Sequence, residues 1–301
     1  TLMTLCGAEL GRDEAIKKYA MKSKFRILPK QFGTYRGDKV FEIEQMCVGT
    51  NSMSYESYLE IRNFSFIVEL FGSPVFSSVI KLTKKLGIHF YDFARLVTDV
   101  IQEKNFKGKF KDLYNEFCKE SSDELFDSKE SVIEFYSKPE NYEALTRGDI
   151  GENLQAKYKA ESLLIYDDLI SVVFYVLRTK FAKSYNDGLK SVLNSSEKWL
   201  KNLHMIEEIF GNKLEIKKDY KYELNIDFDF PSWLLKSHLP FDQFKKHSTY
   251  EIGYDLKKLN NLRNEAKSIF GKDKKRALIR YLTLYMNRGI GVFEKRFQKL
   301  N

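Results

Sequence analysis

Asp227 and Asp229, in the run YELNIDFDFP, are the pair whose types and spacing most directly suggest chemistry. On an extended strand, residues i and i+2 leave the same face, so two such carboxylates could share a divalent ion, as in sugar-nucleotide transferases. The wet face of any alternating strand needs the same spacing, and no glycine-rich nucleotide loop accompanies the pair. Glu9 follows Gly7 at the end of what reads as a parallel strand, which is where barrel enzymes put ligand contacts. A turn acid ahead of a helix would look the same. Thr50, Asn51 and Ser52 could touch a ligand, although capping a helix already accounts for them. Arg62 sits on an otherwise apolar helix, so its guanidinium needs an acceptor. Glu42 or Glu44 is the expected partner, with an anionic ligand as the alternative.

Cys6, Cys47 and Cys118 are widely spaced and odd in number, which fits a reducing compartment better than a disulfide scaffold. His89, His204, His238 and His247 are equally scattered, and no CxxC, CxxxC or HxxxH occurs. A metal site made by this chain alone would need distant residues to converge. The P-loop, the Rossmann glycine fingerprint, HExxH and any local Ser-His-Asp or Cys-His signature are absent as well.

The elements that must position these residues can be read from periodicity and punctuation. TLMTLCGAEL reads as the end of a buried strand, with no polar lead-in and no initiator methionine, so a missing upstream body is expected. A short helix follows at about 12–22, with Asp13 and Glu14 at its start. KFRIL then ends at Pro29, which cannot donate to a ladder. DKVFEIEQMCV alternates as a half-buried strand with Phe41, Ile43 and Cys47 inward. Ser54 is placed to cap a helix over about 54–72, with Met53 stapling onto Tyr58 and Glu56 in the first turn.

Helix follows helix to about residue 210, with breaks at FGSP (71–74), GIH (87–89), NFKGK (105–109), KPEN (138–141) and RGDIGE (147–152). The stripe Leu154, Tyr158, Ile165, Leu169, Val172 and Val176 predicts one helix over 152–182, roughly 45 Å long. A second stripe predicts one helix over 188–210, antiparallel to the first. The aromatic residues Phe64, Phe66, Phe90, Tyr91 and Phe93 read as core. YKYELNIDFDFP predicts a strand up to Pro231, paired with TYEIGY at 249–254, and two basic helices follow at about 255–270 and 273–287. The fold class is therefore mainly α with a small α+β part: strand remnants of an α/β barrel, a helical region, then a β-hairpin with C-terminal helices. The corresponding divisions are 1–52 (end of a catalytic barrel and linking strand), 53–212 (helical domain) and 213–301 (β-hairpin plus basic helices).

The chain has 301 residues and a net charge of +8. Residues 12–39 carry nine basic and three acidic side chains, residues 255–301 carry thirteen and four, and the middle is net acidic. Basic ends could grip phosphates, so a free-standing helical module for nucleic acid or another polyanion is the alternative reading. Against nucleic acid, no aromatic RNP pair or GXXG loop is present. The longest apolar run, LISVVFYVL, is short of the roughly 20 residues that cross a bilayer, and no signal peptide opens the chain. A soluble, cytoplasmic protein is expected.

Three patches together resemble a known family. The stretch LCGAELGRDEAIKKYAMKSKFRILPKQFGTYRGDKVFEIEQMCVGTNSMSYESYLEIR is similar to the region just after the barrel of radical S-adenosylmethionine enzymes that carry an N-terminal cobalamin-binding domain. In that family a Gly-x-Glu segment ends the last barrel strand, a YxMKxKFRxLP stretch follows, and a TNxMSxExYxxxR joint opens a helical region. NIDFDFPSWL and SIFGKD resemble the closing part of the same group.

The resemblance implies a parent enzyme in which a CxxxCxxC motif holds a [4Fe-4S] cluster that cleaves S-adenosylmethionine to a carbon radical, with cobalamin as a further cofactor. The CxxxCxxC and the cobalamin signature are both missing from this sequence, so Cys6 is given no ligand role and this chain alone is expected to be inactive. Its expected work is to cap the barrel mouth over a small-molecule or peptide substrate, with the upstream barrel and cobalamin-binding domains as partners. Gly7, Glu9, Asn51 and Arg62 are the residues expected nearest the ligand.

Overall fold

The computed structural model describes residues 2–3, 9–210, 220–270, 279 and 294–300. In chain order the elements are β1 (Leu2–Met3), α1 (Asp13–Lys18), β2 (Lys22–Tyr35), β3 (Asp38–Gly49), α2 (Tyr55–Phe71), α3 (Ser77–Lys85), α4 (Phe90–Gln102) and α5 (Lys109–Asp123). There follow α6 (Lys129–Ser137), α7 (Pro139–Arg147), α8 (Leu154–Leu164), α9 (Tyr166–Lys180), α10 (Asp187–Lys201), α11 (Ile206–Phe210), β4 (Tyr220–Ile226), α12 (Phe230–Leu235), β5 (Ser248–Tyr254), α13 (Leu256–Phe270) and β6 (Arg296–Lys299). The protein is mainly α with a small α+β part, as its sequence pattern implies. It divides into two units, residues 1–66 with 114–157, and residues 67–113 with 158–301. The divisions drawn at 52/53 and 212/213 follow sequence character, whereas these units follow contacts and interleave along the chain.

In the first unit the sheet order is β1-β3-β2, antiparallel throughout. The expected parallel barrel strand at the N-terminus is thus corrected: Leu2 and Met3 lie antiparallel opposite Cys47 and Met46. Arg36 and Gly37, both at positive φ, turn β2 into β3. This is the two-residue reversal whose twist suits a hairpin. Pro29 does not end its strand. Register jumps between the pairs Ile27–Ile43 and Phe32–Phe41, so Leu28 to Gln31 bulge opposite the single residue Glu42, with Lys30 in the left-handed region. The bulge takes up the missing donor, and the ladder resumes.

β3 alternates only over its first half, and Met46 to Gly49 are buried on both faces. The reason is that each face has its own core. Phe41 and Ile43 pack with Ile27, Val132, Tyr136 and Leu145, while Met46 and Val48 pack with Met53, Tyr58 and Leu125. Met53 and Tyr58 share that second cluster, as the expected staple requires. Ser54 caps α2, its hydroxyl accepting the Ser57 N–H at 3.1 Å. Ser54→Ala is expected to lower stability by about 1 kcal/mol in urea titration, because it strands a donor at the helix start.

The second unit has an aromatic centre in which Phe71 meets Phe76, Phe93 and Phe110 at ring distances of 4.8, 5.7 and 6.0 Å. Phe66 and Phe93 are fully buried, whereas Tyr91, also expected in the core, is 67% exposed. The five breaks read from Gly, Pro and Asn clusters all fall between helices. The two long helices, however, are each interrupted. Ile165, at φ −112° and ψ 36°, separates α8 from α9, and Asn202 to Met205 separate α10 from α11. α9 and α10 pack together, tied by Arg178 to Asn194 at 2.8 Å and to Glu197 at 2.6 Å.

β4, β5 and β6 form the second antiparallel sheet, with Tyr220 to Ile226 opposite Tyr254 to Ser248. β4 stops at Ile226 rather than running to Pro231. The expected helix at 273–287 lies outside the described residues. Among the described residues no single helix is long and apolar enough to cross a membrane; Tyr55–Phe71 and Pro74–Lys85 reach that composition only as a pair bent by 61°.

Candidate functional site

The two helix breaks of the second unit build one cavity. Its volume is about 530 Å³, and its wall includes Ile165, Tyr166, Asp167, Asp168 and Ser171 at the start of α9, and Lys201, Asn202 and His204 at the end of α10. Lys109, Glu208 and Lys295 complete its charged rim. Asp167 and Asp168 lie in the first turn of α9, where carboxylates complement the positive helix end and favour a new start after Ile165. Asp168 also accepts the Phe110 N–H at 2.8 Å. Asn202 closes α10 by donating to the Lys198 carbonyl at 2.7 Å, and its side-chain oxygen accepts the Tyr222 hydroxyl at 2.5 Å. The backbone then turns so that His204 forms a bridge to Glu294, and Leu203 accepts the Lys295 N–H at 2.8 Å.

Tyr166 and His204 face each other edge to face, with ring centroids 5.0 Å apart and planes at 88°. Both are buried, and neither the Tyr166 hydroxyl nor either imidazole nitrogen has a hydrogen-bond partner among the described residues. Burial, helped by the Lys295 charge, pushes the His204 pKa down to about 3. Burial likewise raises the Tyr166 phenol, with the Asp167 and Glu294 charges adding to it. Both groups are therefore neutral around pH 7. Each can donate and accept, and each is costly to leave dry, at about 1–3 kcal/mol per unmet group.

The depressed imidazole carries a pH signature. The unfolded chain takes up the proton below about pH 6.5, whereas the folded chain refuses it until about pH 3. This stability is complete above the unfolded value and is lost as pH falls. Urea titrations between pH 7 and 5 are expected to show about 1.4 kcal/mol per pH unit from this group below pH 6.5. His204→Phe should lack that increment.

The positions singled out by sequence have other surroundings. Gly7 lies outside the described residues. Glu9 is exposed on a 3-10 turn over Glu9–Gly11, its carbonyl accepting the Arg12 N–H at 3.3 Å. Asn51 is exposed in the turn that Thr50 and Met53 close, and its N–H donates to the Tyr19 carbonyl at 2.9 Å.

Arg62 is largely buried, but its carboxylate is Glu124 rather than Glu42 or Glu44. Glu124 also accepts from Arg26 at 2.8 Å, and Arg26 pairs with Glu44. Burial works against the Arg26 charge, and the two carboxylates outweigh it, so its pKa is raised. Glu44–Arg26–Glu124–Arg62 is thus one chain of two cations and two anions, and Glu44 reaches Arg62 only through it.

Asp227 and Asp229 do not act as a pair. Asp227 is 79% exposed beside His247 Nδ1 at 3.0 Å. Asp229 is fully buried and caps α12, accepting the Ser232 N–H at 3.2 Å, the Tyr250 hydroxyl at 2.7 Å and the Lys299 ammonium. The strand ends before either aspartate, so the shared face that a common divalent ion needs does not form. Among the described residues no three His, Cys, Asp or Glu side chains converge as a metal site.

The thiols suit a cluster no better. Cys47 is buried and donates to the Gly49 carbonyl at 3.4 Å, and burial pushes the Cys118 thiol up to about 11. A cluster ligand must be a thiolate. No family model matches the chain, and no curated protein matches it either.

Proposed function

We propose that this chain is the C-terminal, substrate-capping region of a radical S-adenosylmethionine enzyme of the cobalamin-associated kind. The reading rests on the stretch from Leu5 to Arg62, whose motifs resemble the segment following the catalytic barrel in that family. Tyr19 to Pro29 leads into and forms the first half of β2, Thr50 to Ser54 makes the turn and cap, and Arg62 is anchored by Glu124.

In this reading the [4Fe-4S] cluster, S-adenosylmethionine and cobalamin belong to upstream barrel and cobalamin-binding domains, which are the chain's partners. The described thiols do not fit cluster ligation. This chain contributes by covering the barrel mouth, shaping a pocket for a small-molecule or peptide substrate and keeping water from radical intermediates. Alone it is inactive, and a reducing cytoplasm is its compartment. The deciding experiment is to read the codons upstream of Thr1. A CxxxCxxC within a preceding α/β barrel is the expected result; a start codon with no such motif before it rejects the reading.

A further inference from the structure

We infer that the edge of β5 facing away from β4 is a docking groove for an extended Lys-x-aromatic-x-Lys segment, which a second copy of this chain supplies by exchanging β6. In the structure the groove holds the chain's own residues 294–300, and their fit shows what it recognises. Gly253 to Tyr250 lie antiparallel opposite Arg296 to Lys299. The Lys295 N–H donates to the Leu203 carbonyl at 2.8 Å, and the Leu300 N–H to the Thr249 carbonyl at 2.9 Å. Backbone bonds of this kind hold a strand of any sequence, and side-chain seats give the selectivity.

Those seats are an acid, an aromatic ring and an acid. Lys295, Phe297 and Lys299 alternate along the segment, so they leave the same side of an extended chain. Lys295 reaches Glu208 on α11 at 3.2 Å, with side chains 11% and 18% exposed. Phe297 stands edge-on to the buried Trp199 of α10, ring centroids 4.9 Å apart and planes at 79°, and lies opposite the buried Ile252. Lys299 reaches Asp229, whose side chain is fully buried. Between them Arg296 and Gln298 are exposed, Arg296 pairing with Asp255. An empty groove would leave Glu208 and Asp229 largely buried without their cations, the costly way to break an ion pair. The groove therefore stays filled by this pattern.

The segment that fits is carried by every copy of the chain. Its recognition is complete within residues 294–300, and residues 271–293 join it to the end of α13. About 20 residues of chain can span roughly 70 Å, enough to reach the same groove on a molecule in contact. Exchange replaces each contact with its identical counterpart and closes as a symmetric pair. Concentration then decides between the two forms.

The inference does not depend on the upstream domains, and the 301-residue chain is the material for its test. One chain carries Glu251→Cys, and another, isotope-labelled, carries Gln298→Cys. The two positions are ladder partners, and directly opposed residues of an antiparallel pair are within disulfide reach. Neither variant has the second thiol in its own ladder. Mixed at high concentration with oxidised glutathione, they should give a disulfide-linked heterodimer, read by mass spectrometry, at least about fivefold above either variant mixed with the parent chain. The parent controls account for Cys6, Cys47 and Cys118.

A synthetic peptide of residues 294–300 with Gln298→Cys should likewise couple to the Glu251→Cys chain. Coupling should fall about tenfold when the peptide also carries Lys295→Gln and Lys299→Gln, or Phe297→Ser. Since the peptide alone is altered, misfolding cannot explain that loss. A heterodimer yield no higher than the parent controls would show that each strand stays with its own chain, and equal coupling by the altered peptides would show that the groove reads backbone alone. Either result overturns the inference.

Discussion

Glu124→Ala is expected to destabilise the protein by about 3–5 kcal/mol in urea unfolding, the usual cost of removing one partner from a buried ion pair. Glu124 is the shared acceptor of Arg26 and Arg62, and its side chain is 11% exposed. Without it two largely buried guanidinium groups face the single carboxylate of Glu44. The neighbouring residue provides the contrast. Asp123 pairs with Lys119 on the surface, both well exposed, so Asp123→Ala should change stability by no more than about 0.5 kcal/mol.

A compensated variant separates charge balance from mere packing. Arg62→Met combined with Glu124→Leu removes one cation and one anion and leaves Arg26 with Glu44. The double variant should therefore be less damaging than Glu124→Ala alone. If the two are equally unstable, the charge-balance account is wrong.

Asp229→Asn should cost about 2–3 kcal/mol, the range for losing hydrogen bonds to a charged group. By contrast Asp227→Asn, two residues away and exposed, should be within about 0.5 kcal/mol of the parent. Asp229 fastens three elements at once, α12 through Ser232, β5 through Tyr250 and β6 through Lys299. Burial by itself raises its pKa, but the bonds from Lys299, Tyr250 and Ser232 outweigh that and hold it below the ordinary carboxylate value. A depressed carboxylate stabilises the fold above its unfolded value, about pH 4, and the benefit fades as pH falls towards the folded value. Acid unfolding followed from pH 5 to 2 should accordingly be less steep in Asp229→Asn. An unchanged acid limb would contradict the assignment.

These cases show what the sequence discloses and why it stops. Breaks marked by Gly, Pro or Asn were legible because those residues change the backbone options locally. The cap at Ser54 and the alternation of β4 and β5 were legible for the same local reason. The interruptions at Ile165 and at Asn202 to Met205 were not, since a helix that stops for one to four residues and restarts can keep its apolar stripe in phase. A signal was present: Asp167 and Asp168 side by side inside an apolar stretch are a helix start. Asn202 gave the matching stop. The candidate cavity lies at these two interruptions, so reading through them hid it. Arg62's need for a carboxylate was legible, but its partner lies 62 positions away and depends on tertiary packing. The D-x-D motif misled because an alternating strand was extended past its true end at Ile226.

The bulge opposite Glu42 has a consequence for behaviour at high concentration. β2 is the outer strand of its sheet, 14 residues long, and although Phe126 bridges its rim at Phe25, so long an edge invites a second chain to add itself strand to strand. Pro29 lacks an N–H to donate, the three extra residues of the bulge bend the strand, and Lys22 and Lys30 place exposed charge along it. A distortion that only interrupts the ladder from within thus works from outside as protection against fibrous self-association.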